Sequence, residues 1–218
     1  KQLLSLRAKA FAQAKDTQRM LEEMASAGRI QEGLLPKTLP ELAGWQFAAL
    51  LDPARQTSGD FYEFIQLPEG RLGIAIADVA DKGAGAALFM AMTHSLLRTY
   101  AGSYPGQPDS VIAEINRRML ADTSVALFVT LFYGILDPAR GELIYCNAGH
   151  NPPCLLRSDA RRQELLSRTG IALGIFEEAA WEARAISLEP GDLLVMYTDG
   201  VVDAQNPAGD QYGEEKLH

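Results

Sequence analysis

The chain has 218 residues, 47% of them hydrophobic and 22% charged, with a formal net charge of −8. Such totals describe a folded chain of one domain with an attachment, or of two small domains, long enough to bury a core. An acidic balance with no stripe of Lys and Arg argues against a nucleic-acid partner held through its phosphates, and leaves cation binding open.

Residues 1–35 are rich in Ala, Leu and polar helix formers, contain no proline, and read as one helix. Leu3, Leu6, Ala10, Met20, Met24, Ala27 and Leu34 approach a heptad seam, interrupted by Gln13, Thr17 and Gln31. That pattern fits either a signalling helix that pairs with a second copy or a helix packed on its own domain. The chain starts with "KQLLSLRAKAFAQAKD", which has neither an initiator Met nor the apolar core of a signal peptide, so it reads as a piece of something longer. "LLPKTLPELAGW" then ends the helix with two prolines and opens a globular part, 36–218.

Strand-like runs follow: "WQFAALLDP", "DFYEFIQL" and "RLGIAIAD", the last two joined through "PEG" at 68–70 as a hairpin. Two helices are expected at about 84–100 and 108–121. Strands resume at 125–136, 141–147, 152–157, 181–188 and 192–198. The longest apolar run, "VALFVTLFYGIL" at 125–136, falls short of the ~20 residues that span a bilayer and reads as a buried strand. Strands, two adjacent helices, then strands again predict an α+β layered fold of largely antiparallel sheets with helices outside. Cys146 and Cys154 flank "NAGHNPP" and read as two reduced thiols in a cytoplasmic protein.

Three acids stand at strand ends. Asp60 opens one strand of the hairpin and Asp78 closes the other, so antiparallel pairing makes them neighbours; Asp199 of "LLVMYTDG" follows a very apolar run. Each has an ordinary reading, since Asp before Gly suits a turn and Asp after a strand suits a helix cap. Together they repel unless something neutralises them, and an oxygen-only set selects Mg²⁺, Mn²⁺ or Ca²⁺ over Zn²⁺. Gly83 and Gly85 read as letting the chain turn beside Asp78 and a helix pack on a sheet; His150 reads as holding its loop, and His94 as structural or solvated.

Four blocks in order, "RIQEGLLPKTLPELAGWQFAALLDPARQTSGDFYEF", "IADVADKGAGAALFMA", "FVTLFYGILDPARGELIYCNAGHNPPCLL" and "LLVMYTDGVVDAQNPAGDQYG", resemble the bacterial SpoIIE/RsbU-type serine phosphatases of the metal-dependent PPM (type 2C-like) family. The resemblance covers about residues 29–213. It implies an α-β-β-α sandwich of antiparallel sheets flanked by helices, preceded by a linker helix, with two Mn²⁺ or Mg²⁺ ions in a cleft and attack of water on a phosphoserine or phosphothreonine. Carried over by motif, Asp60, Asp78, Asp199 and the backbone carbonyl of Val79 are metal ligands, Asp78 bridging both ions, and Arg55 is a phosphate-binding residue.

The resemblance further implies a phosphorylated STAS-type anti-sigma-factor antagonist as substrate, an upstream sensor domain, and a homodimer through residues 1–35. An inactive scaffold that binds the antagonist is the alternative. The chain departs from the family pattern at Ser58 and at Glu63, which is expected to accept hydrogen bonds or reach a metal-bound water. Val79 and Ala80 stand where animal-type relatives carry a histidine. Relatives also end in an acidic pair before a final strand, whereas this sequence stops at "GDQYGEEKLH", so the expectation is a truncated domain with weakened metal binding.

Overall fold

The computed structural model describes residues 2–123, 125–158 and 163–217, with residues 2–8, 10 and 12 described by their backbone only. Its elements, in chain order, are α1 (Gln2–Glu32), β1 (Phe61–Gln66), β2 (Leu72–Val79), α2 (Ala84–Ser103), α3 (Pro108–Asp122), β3 (Val129–Asp137), β4 (Glu142–Ala148), β5 (Cys154–Leu156), β6 (Gln163–Leu165), β7 (Arg184–Ser187), β8 (Leu193–Val195), α4 (Asp199–Val202) and α5 (Glu214–Leu217). Every strand pair is antiparallel, in a five-stranded sheet of order β1-β2-β3-β4-β7 and a three-stranded sheet of order β6-β5-β8. The α+β architecture inferred from the sequence is the one observed.

Strand alternation divides the interior in two. Phe61, Ala75, Ala77, Leu131, Tyr133 and Cys146 face α2 and α3, which bring Met90, Leu97, Val111, Ile112, Ile115 and Met119 against them. Ile74, Phe132, Leu143 and Tyr145 face the other way and meet Leu166, Leu194 and Met196 of the smaller sheet. The central strands β2 and β3 are thus buried on both faces, which is why their sequences are continuously apolar. Helices cover the outer face of the larger sheet. The outer face of the smaller one exposes Leu156, Leu165 and Leu193. Among the described residues no helix is long and apolar enough to cross a membrane.

Several expectations need correction. The expected strand "WQFAALLDP" is irregular: Trp45 and Phe47 pack on the core, and the Trp45 indole donates to the Pro138 carbonyl at 3.3 Å, but the segment joins no sheet and Leu50 is 89% exposed. Apolar anchoring produced a strand-like pattern without a ladder. Strand β6 was not anticipated, its three residues being too short and exposed to leave a pattern. The run at 125–136 becomes a strand only from Val129, since Val125 and Phe128 are exposed. Gly83 adopts φ 87° at the start of α2, as a turn there requires, but Gly85 is exposed with open space where a side chain would go; Ala86 and Ala87 make the packed face instead. Cys146 and Cys154 are free, buried and in different sheets.

The heptad seam also divides. Leu3, Leu6 and Ala10 lie outside the described side chains. Met20 is 64% exposed, whereas Gly28 and Gln31 are buried and the end of α1 lies against α2. That end packs on its own domain.

Glu63 is the largest departure. It points to the helix face of the sheet, 2% exposed, where its carboxylate accepts from Arg98 at 2.8 Å and bonds the His94 ring nitrogen at 2.6 Å. It cannot reach the end of the sandwich where Asp60 lies, because neighbouring strand residues face opposite ways. His94 is correspondingly buried at 4% exposure, with its ring edge-on to Phe61. Burial alone would raise the Glu63 pKa, but the bonds from His94, Arg98 and its own backbone neighbour outweigh it and hold the group below the ordinary carboxylate value. Glu63→Ala leaves His94 buried without its partner and is expected to lower unfolding stability by about 3 kcal/mol in urea titration. A loss below about 1 kcal/mol would show that the pairing contributes little.

Candidate metal centre

The β1–β2 register places the two hairpin acids. Phe61 pairs with Ala77 and Tyr62 with Ile76, so the next step sets Asp60 opposite Asp78. Both side chains project from the face shared with Ile74 and Ile76, at one end of the space between the sheets. The smaller sheet contributes from across that space: beyond β8, the Thr198 hydroxyl donates to Asp60 Oδ2 at 3.3 Å, and Asp199 begins the one-turn α4. Three segments far apart in sequence therefore converge on one rim.

The two hairpin carboxyls are close enough to act directly on one another's titration. Burial raises the Asp78 pKa first; the contact with Asp60 and the charges of Asp60 and Asp199 raise it further, to about 8, against a small opposing pull from Lys82. Asp60 is also raised, chiefly by burial and by Asp199, while its bonds to Asp78 and Thr198 pull the other way. Among the described residues no three His, Cys, Asp or Glu side chains converge tightly enough to form a ready-made cation cage. Asp60 and Asp78 form the close pair, and the exposed Asp199 acts on them through its charge.

The donor set fits a hard divalent cation. It is oxygen-only, it carries more negative charge than Lys82 offsets, and a bound cation would relieve the same crowding of carboxyls that raises the Asp78 pKa.

The backbone of Val79 is also at the site. Its carbonyl accepts from the Asp81 amide at 2.8 Å and lies against Gly59, where a Cβ would approach it to 2.9 Å. A glycine before Asp60 is thus required for the hairpin ends to close. Arg55 is exposed on the loop leading to Asp60 and makes no ion pair among the described residues.

His150 stands behind the acids. Its Nδ1 bonds the Thr130 hydroxyl at 2.8 Å, its amide donates to Asn147 at 2.8 Å, and its carbonyl accepts from Arg168 at 3.1 Å. Thr130 pairs with Asp78 across β2 and β3. Burial pushes the His150 pKa down to about 4, so the neutral ring is a fixed strut, as the loop-holding reading expects. Sequence reasoning missed Thr130, Thr198 and Lys82. Only Lys82, four residues beyond Asp78, left a local signal, since the two threonines come from other strands.

The family model for stage II sporulation protein E (SpoIIE) matches residues 68–218. Protein IcfG of Synechocystis is 36% identical over 223 residues, covering 89% of this chain and 35% of IcfG. The phosphoserine phosphatase RsbU of Bacillus subtilis is 30% identical over 194 residues, covering 88% of this chain and 57% of RsbU. The chain therefore spans about a third to somewhat over half of these relatives. Among solved structures, the SiaA-PP2C domain of Pseudomonas aeruginosa superposes with a TM-score of 0.80 at 21% identity, over 94% of this chain and 82% of that one, a likeness of fold.

The raised Asp78 pKa has a defined sign. Between 3.8 and about 8 the folded chain keeps a proton that the unfolded chain has lost, so this group's stabilisation is full below that window and disappears as pH rises through it. In metal-free protein, Asp78→Asn is expected to flatten the decline and raise the melting temperature at pH 8 by about 2–4 °C. Thermal unfolding across pH checks it; parallel curves for the two proteins would disprove the raised Asp78 pKa.

Proposed function

Because the chain belongs to the SpoIIE family, we propose that it is a metal-dependent protein serine/threonine phosphatase acting on phosphoserine. The observation that carries this reading is the forced pairing of Asp60 and Asp78 at an open rim with Asp199 nearby, a net negative site suited to a divalent cation. Residues 36–218 would form the phosphatase domain and residues 1–35 the linker helix to an upstream sensor. Asp60, Asp78, the Val79 carbonyl and Asp199 would hold Mn²⁺ or Mg²⁺. Bound there, such ions lower the pKa of a water and draw charge from phosphoryl oxygens.

The chain's own groups do the rest. Thr198 orients Asp60, Thr130 and His150 brace the strand end that carries Asp78, and Arg55 is free to take a phosphate with its planar fork. RsbU is named a phosphoserine phosphatase, which supports the same chemistry here; a phosphorylated STAS-type antagonist in the cytoplasm is the proposed substrate.

Mn²⁺-dependent phosphate release from a phosphoserine peptide tests this. Asp78→Asn is expected to reduce it by about 10³-fold, the several kcal/mol assigned to cation stabilisation. Arg55→Ala is expected to raise KM more than it lowers kcat. Cation binding without any phosphate release from a phosphorylated protein partner would favour the scaffold reading.

We further propose that α1 pairs two copies, since Phe11, Met20 and Leu21 expose apolar surface on its undocked length. Light scattering should show a dimer that becomes a monomer when residues 1–26 are removed, and an unchanged mass per chain would refute the pairing.

A further inference from the structure

Between Leu51 and Asp60 the chain has no helix or strand, yet it must deliver Asp60 to its place opposite Asp78. Something outside the loop has to hold it. On one side Gly59 is pressed against Val79 of β2. On the other side stands the last turn of α1.

Gln31, in that turn, is only 7% exposed although its amide is fully polar. Its amide nitrogen Nε2 donates to the Ser58 carbonyl at 2.5 Å, and its Oε1 accepts from the Ser58 amide at 3.0 Å. The side chain thus pairs both backbone groups of Ser58, as a neighbouring strand would. Ser58 passes the constraint on: its hydroxyl accepts from the Asp60 amide at 2.9 Å. One turn earlier on α1, Gly28 lies so close to the Gln56 carbonyl that any Cβ there would collide with it. A crevice lined by Gln31, Gln56, Ser58 and Asp60 marks the seam between helix and loop.

We propose that Gln31 is a positioning residue for Asp60, through which the docking of α1 and cation binding at the Asp60–Asp78 pair are thermodynamically coupled. This rests on the reading of those acids as cation ligands. Gln31 does not touch the cation or the substrate. It limits the freedom of Ser58 and so keeps Asp60 from swinging away from Asp78. Coupling is reciprocal: a cation that draws the two acids together favours the docked α1, and a docked α1 raises cation affinity by the same factor. The Gln31 that breaks the heptad seam is explained by this role, because a leucine there would leave both half-buried Ser58 backbone groups without these partners.

The test uses the whole chain and two readouts. In Gln31→Met, which keeps the volume and removes both bonds, amide exchange over residues 53–61 of the metal-free protein should rise about tenfold or more. The Mn²⁺ dissociation constant by calorimetry should rise by about tenfold. Gln31→Glu, which retains the acceptor for the Ser58 amide, should fall between. Ile115→Ala removes apolar packing from α3, away from α1, and should lower the melting temperature while leaving both readouts unchanged. Unchanged exchange in Gln31→Met, or unchanged affinity where the parent chain binds Mn²⁺, overturns the proposal. Faster loop exchange in a chain that binds no Mn²⁺ even before substitution overturns the metal-centre reading and the coupling with it, and leaves Gln31 as the residue that positions Asp60.

Discussion

The arrangement depends on one enforced closeness of two acids. The β1–β2 register brings Asp60 and Asp78 face to face, and Asp78 cannot retreat without unpairing a strand whose other residues are mostly buried. The apolar interior on both sides of β2 supplies the stabilisation that holds the acids together. The raised Asp78 pKa, the Thr198 bond from the opposite sheet and the bracing by Thr130 and His150 all follow from that closeness. A site that is unfavourable when empty is predisposed to take up positive charge.

The same strand carries a second acid with the opposite fate. Asp60 and Glu63 are three residues apart, so alternation sends them to opposite faces. Glu63 meets His94 and Arg98 from α2, and its charge is answered within the protein. Asp60 meets another carboxylate, and its charge is answered only by something from outside. The helix-facing acid anchors α2 to the sheet, and the rim-facing acid remains available for chemistry. Gln31 and Gly59 hold the approach to Asp60 from two sides, which ties the long N-terminal helix to the rim by contacts and not merely by chain connectivity.

Much of this was legible in the sequence. The "PEG" turn between two short apolar runs identifies a hairpin, and antiparallel geometry then makes neighbours of Asp60 and Asp78. Helices α2 and α3 are evident from small and apolar residues at helical spacing, with Pro108 opening the second. These features are local: each depends on residues within a few positions of one another, where backbone propensity and side-chain periodicity act directly.

What the tertiary structure alone decided is non-local. The segment around Trp45 and Phe47 has a strand's composition yet pairs with no strand, its rings packing on the core instead. Glu63 was expected to accept hydrogen bonds or reach a metal-bound water, and register settled it on the first, turning it toward His94 and Arg98. Gln31 looked like a flaw in a seam until Ser58, 27 residues away, supplied the partners for its amide. Sequence by itself determined the elements and the hairpin that pairs two acids, because these follow from short-range sterics and apolar patterning. Folding determined which charges are neutralised internally and which are left for a ligand, because that requires bringing remote polar groups within hydrogen-bond distance in a medium where an unpaired one is costly.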